Sequence, residues 1–220
     1  MIPILVEGCV TTLEEAAAVS EAGGHRLELC RDLRTGGLTP EADTVRAVRG
    51  ETDLPVMAMV RPRPGHFRAT PYEIGTMVGE VEDLVGLGVD GIVLGVLDEH
   101  GEVDRVALRE LVLVARVPVT FHRAFDEIRN PLDALESLQD VGVTRVLTSG
   151  GAATAWEGRG VLRDLVSAAG DHLVILGGGG VRGEHVKCLV EETGLREVHA
   201  RASAVPGILH ALGLRAGEGR

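Results

Sequence analysis

Ile4-Leu-Val-Glu-Gly-Cys-Val10 runs directly into Thr11-Thr-Leu-Glu-Glu-Ala-Ala-Ala-Val19 and closes on Gly23-Gly24, a short apolar run handing over to an amphipathic helical pattern. The unit recurs along the chain. Its apolar runs span Ile4 to Glu7, Arg26 to Leu29, Val56 to Val60, Gly91 to Val96, Val117 to Phe121, Arg145 to Thr148, Leu173 to Leu176 and Glu197 to Ala200. Strands alternating with helices imply right-handed crossovers and a parallel sheet, and eight units in 220 residues predict an α/β fold, a closed (β/α)8 TIM barrel. Chemistry in such a barrel sits at the carboxyl ends of the strands. Those ends read Glu7-Gly-Cys9, Glu28-Leu-Cys30, Arg61-Pro-Arg63, His122-Arg123, Thr148-Ser149, Gly177 to Gly180 and Arg201-Ala-Ser203.

Cap signals support the count. Thr11-Thr12 precedes a first turn holding Glu14 and Glu15, where the helix dipole favours anions. Comparable helices are expected over Pro71 to Gly88, Pro131 to Gly142, Thr154 to Gly170 and Arg182 to Gly194, each ending on a Gly suited to a left-handed cap. The eighth unit departs from the pattern. After Ser203 only Pro206 to Leu214 remains, so the eighth helix is expected to be shortened or missing and one flank thinly covered. Residues 1–214 form a single barrel domain in this reading, and 215–220 a polar tail. Thin cover over the last strand predicts a homodimer or homotetramer with its interface near Leu209 and Leu212.

The chain is 45% hydrophobic yet has no apolar run approaching the roughly 18 to 20 residues of a membrane helix, and its start lacks a basic leader, so a cytoplasmic protein is expected. A net charge of -11 and five Trp, Tyr and Phe residues disfavour nucleic acid as a partner. A small ligand fits better, and no organic cofactor is indicated. Three widely spaced cysteines suit reduced thiols. Lys187 is the only lysine and lies in a helical segment, which leaves no strand-end lysine for a Schiff base.

Glu7-x-Cys9 and Glu28-x-Cys30 place a carboxylate and a thiol on one face of each of two neighbouring strands. Thiolates suit Cu(I), and Cys9 and Cys30 at similar heights could share one ion, with His122 or Met59 as an extra ligand. Cysteine also simply fills cores, the stronger reading for Cys188. The two Glu need partners, which Arg61, Arg63, Arg123 and Arg201 could supply. Either this is a structural network, or Glu7 or Glu28 works as general acid or base with His122, beside Arg61 and Arg123. Asp126 could orient His122 or pair with Arg123. Gly178, Gly179 and Gly180, with Ser203, stand where barrels bind anions through backbone N–H groups. His25, His100, His172 and His210 read as surface residues.

Val6-Glu-Gly-Cys-Val10, Arg26-Leu-Glu-Leu-Cys30, Gly36-Gly-Leu-Thr-Pro40, Met59-Val-Arg-Pro-Arg63, Pro118-Val-Thr-Phe-His-Arg-Ala-Phe-Asp126, Arg145-Val-Leu-Thr-Ser-Gly150 and Gly178-Gly-Gly180 together resemble the CutC copper homeostasis family. The resemblance implies a cytoplasmic, oligomeric (β/α)8 barrel linked to copper tolerance, with Cu(I) ligated by the cysteines matching Cys9 and Cys30. It assigns no reaction. The residues leave a second reading open, an enzyme acting by acid/base chemistry on a small phosphorylated or anionic metabolite through Glu7, Glu28, Arg61, His122 and Arg123. Arg201, in His199-Ala-Arg-Ala-Ser203, departs from the family's motif.

Overall fold

A computed structural model describes residues 4–214. Eight parallel strands close in sequential order: β1 (Leu5–Val10), β2 (Arg26–Leu29), β3 (Val56–Met59), β4 (Gly91–Leu94), β5 (Val119–Phe121), β6 (Arg145–Thr148), β7 (Val174–Gly177) and β8 (Glu197–Arg201), with β8 pairing back onto β1. The helices between them are α1 (Leu13–Ala22), α2 (Ala42–Glu51), α3 (Pro71–Gly86), α4 (Arg105–Ala115), α5 (Pro131–Asp140), α6 (Arg159–Ala169), α7 (Gly183–Thr193) and α8 (Val205–Leu212). The (β/α)8 barrel read from the sequence is the observed fold. The expected polar tail, 215–220, lies outside the described residues.

Local chemistry explains the boundaries. The Thr12 side chain accepts the Glu15 N–H, and Gly23 ends α1 in the left-handed conformation (φ 90°). Thr70 and Glu73 form a reciprocal capping box on α3, with Pro71 at its first position. The sixth helix starts at Arg159 rather than near Thr154, because residues 151–158 form turns first.

Two cores result. The main one lies between barrel and helices, where Leu27, Ile92, Leu108, Leu111, Leu138, Leu162 and Leu165 are fully buried. The second is inside the barrel, a group made of Cys9, Cys30, Met57, Met59 and Val93. Alternation along the strands places Glu7 and Cys9, Arg26, Glu28 and Cys30, and Met57 and Met59 on inward positions.

Three expectations need correcting. The eighth helix is short but it does cover its flank: Val205, Ile208 and Leu209 are buried, and α8 packs on α7 and α1. Leu209 is spent inside the chain and offers no surface for an interface, while Leu212 is half-buried. Cys188 is exposed on α7, not in the core. His25 is half-buried, and its Nδ1 accepts the Val6 N–H at 3.0 Å.

Candidate functional site

A cavity of about 680 Å³ opens at the carboxyl end of the barrel. Of the residues singled out above, Cys9, Glu28, Met59, Arg61, His122, Arg123, Asp126, Gly179, Gly180 and Arg201 line it. Glu7, Cys30, Gly178 and Ser203 do not. Phe67, Arg182 and His199 do, and sequence reasoning gave none of these three a role.

Glu7 lies one layer below the mouth, inside the barrel. The register sets Glu7 opposite both Arg26 and His199, and its carboxylate accepts from the Arg26 guanidinium and from His199 Nδ1 at 2.8 Å. Burial pushes this carboxyl up, but the His199 hydrogen bond and the Arg26 charge outweigh it and hold the pKa at about 2. Arg26 reaches on to Glu197 at 2.6 Å, and Arg145 meets the same Glu197 at 2.8 Å. Glu7 is thus a member of a paired interior layer, and its partner is Arg26 rather than a mouth arginine.

Glu28 stands above that layer and is 3% exposed. Burial pushes its carboxyl up; the charge of His199, whose Nε2 lies 3.7 Å from Oε2, pulls the other way and the nearby Glu7 adds to the rise. Its Oε1 is buried and has no hydrogen-bond partner among the described residues. Burial alone would lower the His199 pKa, but the facing carboxylates of Glu28 and Glu7 raise it above the ordinary value.

The thiols meet. Cys9 Sγ donates to Glu28 Oε2 at 3.0 Å and lies 3.7 Å from Cys30 Sγ, with the two residues only 3% and 1% exposed. Both cysteines are free thiols. The hydrogen bond with Cys30, burial and the Glu28 charge all push the Cys9 thiol well up. The matched heights expected for the two Glu-x-Cys pairs are not seen: Cys9 aligns with Glu28, a stagger of two residues, and the sulfurs approach across it. Cys9, Glu28 and Cys30 form one cluster able to hold a metal ion, and Glu7, Glu28 and His199 another; His122 belongs to neither. Met59 shares the apolar cluster of the cysteines. A buried donor set of two thiols and a thioether suits a soft monovalent ion such as Cu(I).

His122 sits at the end of β5 with its ring 4.9 Å from that of Phe67. Burial, then the charge of Arg61, lower its pKa to about 3, so the ring is neutral. Nδ1 accepts the Ala124 N–H at 3.2 Å, which leaves the proton on Nε2. The ring fits because residue 95 is Gly: a Cβ there would lie 2.5 Å from Nδ1.

Asp126 pairs with Arg123, not with His122. Its carboxylate takes Arg123 Nε at 2.7 Å, Thr148 Oγ1 at 2.5 Å and the Ser149 N–H at 3.0 Å, fixing the guanidinium, which also donates to Ser149 Oγ at 2.9 Å. Arg63 is taken by Glu73. Arg61 binds no carboxylate among the described residues. Instead it donates to the carbonyls of Thr35, Gly37 and Gly65, tying the loops after β2 and β3 together, with its guanidinium 4.8 Å above the Phe67 ring.

Residues 4–204 match the model of the CutC family. The chain belongs to the CutC family. A copper homeostasis protein cutC homolog of Homo sapiens is 37% identical over 199 residues, covering 90% of this chain and 73% of that protein. A CutC family protein of Mesorhizobium japonicum is 41% identical over 217 residues, covering 98% and 84%. The crystal structure of the putative copper homeostasis protein CutC from Streptococcus agalactiae superposes with a TM-score of 0.85 at 30% identity, covering 89% of this chain and 97% of that one. An aldolase structure superposes at 0.74 with 12% identity over 96% of both chains, a likeness of fold alone. The CutC assignment confirms the resemblance read from the sequence.

Proposed function

We propose that this CutC family member binds Cu(I) through Cys9 and Cys30, with Met59 as a third sulfur donor, and serves copper homeostasis in the cytoplasm. The observation that carries this reading is the 3.7 Å separation of two buried thiols beside a thioether. Cys9 also lines the cavity, which gives an ion a route from solvent to the cluster. Thiols this close persist unpaired in a reducing compartment, in keeping with the cytoplasm. Titration of the reduced protein with Cu(I) against a competing chelator tests the proposal. One tightly held ion per chain is expected, lost in the Cys9→Ser, Cys30→Ser double variant; undiminished affinity in that variant refutes it.

Self-association to a homodimer or homotetramer is part of the same reading. Its support comes not from the eighth unit but from Val106 and Leu113, seven residues apart on one face of α4 and 83% and 70% exposed.

A second reading is carried by Glu28. Its unpartnered Oε1 at the cavity wall and the Nε2–H of His122 are a proton acceptor and a hydrogen-bond donor of the kind acid/base chemistry on a small molecule requires. Glu7 supports this arrangement from below by orienting His199, and Asp126 supports it by fixing Arg123.

A further inference from the structure

The protein carries a net charge of -11, yet the cavity gathers Arg61, Arg123, Arg182 and Arg201 beside the carboxylates of Glu28, Asp126 and Glu127, so its arginines outnumber its acids. Only Arg123 has a carboxylate partner among the described residues. Arg201 makes no side-chain hydrogen bond to any of them, and Arg182 donates only to its neighbour's carbonyl, that of Val181, at 2.8 Å. Arg61 is 8% exposed and donates to neutral carbonyls; no carboxylate among the described residues is in salt-bridge contact with it, and the charge of Glu127 reaches it only across the cavity. Burying a cation without neutralising it is costly. The field of Arg61 therefore adds to that of Arg182 and Arg201, which have no carboxylate partner among the described residues, and together they favour an anion in the cavity.

Backbone geometry points to the same place. Gly179 and Gly180 both take positive φ, 95° and 71°, a turn open to glycine and strained for other residues. No acceptor among the described residues takes either N–H. Both glycines line the cavity, and a Cβ on Gly179 would lie 3.6 Å from the Arg123 guanidinium carbon. Gly178 acts differently, because its N–H is spent on the Thr148 carbonyl at 2.9 Å and a Cβ there would strike Leu147. The oxyanion donors are therefore the turn amides and the arginines of the β5, β7 and β8 ends.

We infer that the cavity binds a small phosphate monoester, its phosphoryl group held by the Gly179 and Gly180 amides with Arg123, Arg182 and Arg201, and its organic part extending toward His122 and Arg61. Two unshared N–H groups side by side with three guanidinium groups suit a tetrahedral dianion, which offers more acceptor oxygens than one carboxylate. A volume of about 680 Å³ leaves room beyond the phosphoryl group, within the roughly 300–1,000 Å³ typical of small-molecule sites. The inference shares its cavity with the second reading above but stands without turnover: binding with no reaction would defeat that chemistry and leave this site intact.

The test is calorimetric titration of the full chain with glycerol 3-phosphate, inorganic phosphate and glycerol, repeated on the Arg182→Gln, Arg201→Gln double variant. Both replaced side chains lie at the surface, so folding should be retained, as circular dichroism would confirm. Glycerol 3-phosphate is expected to bind better than phosphate, glycerol not to bind, and the double variant to lose at least tenfold in affinity, while Arg196→Gln, whose partner is Asp171 away from this cavity, leaves affinity unchanged. Absence of phosphate-ester binding at millimolar concentration, or equal affinity in the double variant, overturns the inference. Phosphate protection of the Gly179 and Gly180 amides from exchange is the direct readout of their role, and unaltered exchange would remove them from the site.

Discussion

Burial at His122 has a consequence that can be read in a denaturation curve. Its folded pKa of about 3 lies below the ordinary 6.5, so the unfolded chain takes up the proton first. The stability this group contributes is complete above pH 6.5 and is lost as pH falls from there toward 3. At about 1.4 kcal/mol per unit the loss at pH 3 approaches about 4 to 5 kcal/mol, a large share of a typical domain's stability. Urea midpoints measured between pH 7 and 4 should fall steeply in the native protein and more gently in His122→Gln. Equal slopes would mean that the ring is not held neutral. A second prediction concerns Arg26: Arg26→Met leaves the buried Glu7 with His199 as its remaining partner and should cost about 3 kcal/mol by chemical denaturation, with partial recovery on adding Glu7→Gln. The sequence exposed the strand-end residues Cys9, Glu28, Arg61 and His122 because apolar runs end there. It concealed His199 and the pairing of Arg26 with Glu7, since strand periodicity says which side chains point inward but not which strands lie opposite at a given height. The two-residue stagger between β1 and β2 decides those partners.

At the scale of elements, the boundaries follow from caps more than from hydrophobic pattern. Thr70→Ala removes one half of a reciprocal box at the start of α3 and should cost about 1 kcal/mol of stability in thermal unfolding, without altering the cavity. The eighth helix is shortened, as its sequence length implied, but the flank beneath it is not thinly covered. Eight residues were enough to bury Val205, Ile208 and Leu209, because a helix of two turns needs only one apolar stripe to cover a single strand. Leu209→Ala is accordingly expected to destabilise the chain by about 2–5 kcal/mol and to leave its sedimentation unchanged, whereas a change in oligomeric state without loss of stability would restore the interface first expected there.

For the molecule as a whole, the barrel explains how an acidic protein keeps an arginine-rich mouth: the strand ends bring four arginines into one cavity against Glu28, Asp126 and Glu127, and fields from the outer surface are screened beyond about 8 Å. The closed barrel was legible because eight repeats of one unit leave few topologies to choose from. The exposed helix face was not, since which face stays open depends on packing: α4 displays Val106 and Leu113, and replacing both with Asp should move the proposed oligomer toward monomer in sedimentation while leaving the helix content intact. Whether the sulfur cluster inside this barrel is the copper site is tested most directly by X-ray absorption at the copper edge on the Cu(I)-loaded protein. The expected result is a first shell of sulfur alone, supplied by Cys9, Cys30 and Met59 and abolished in the Cys9→Ser, Cys30→Ser variant. A first shell of nitrogen or oxygen, or a sulfur shell that survives loss of both thiols, would contradict it.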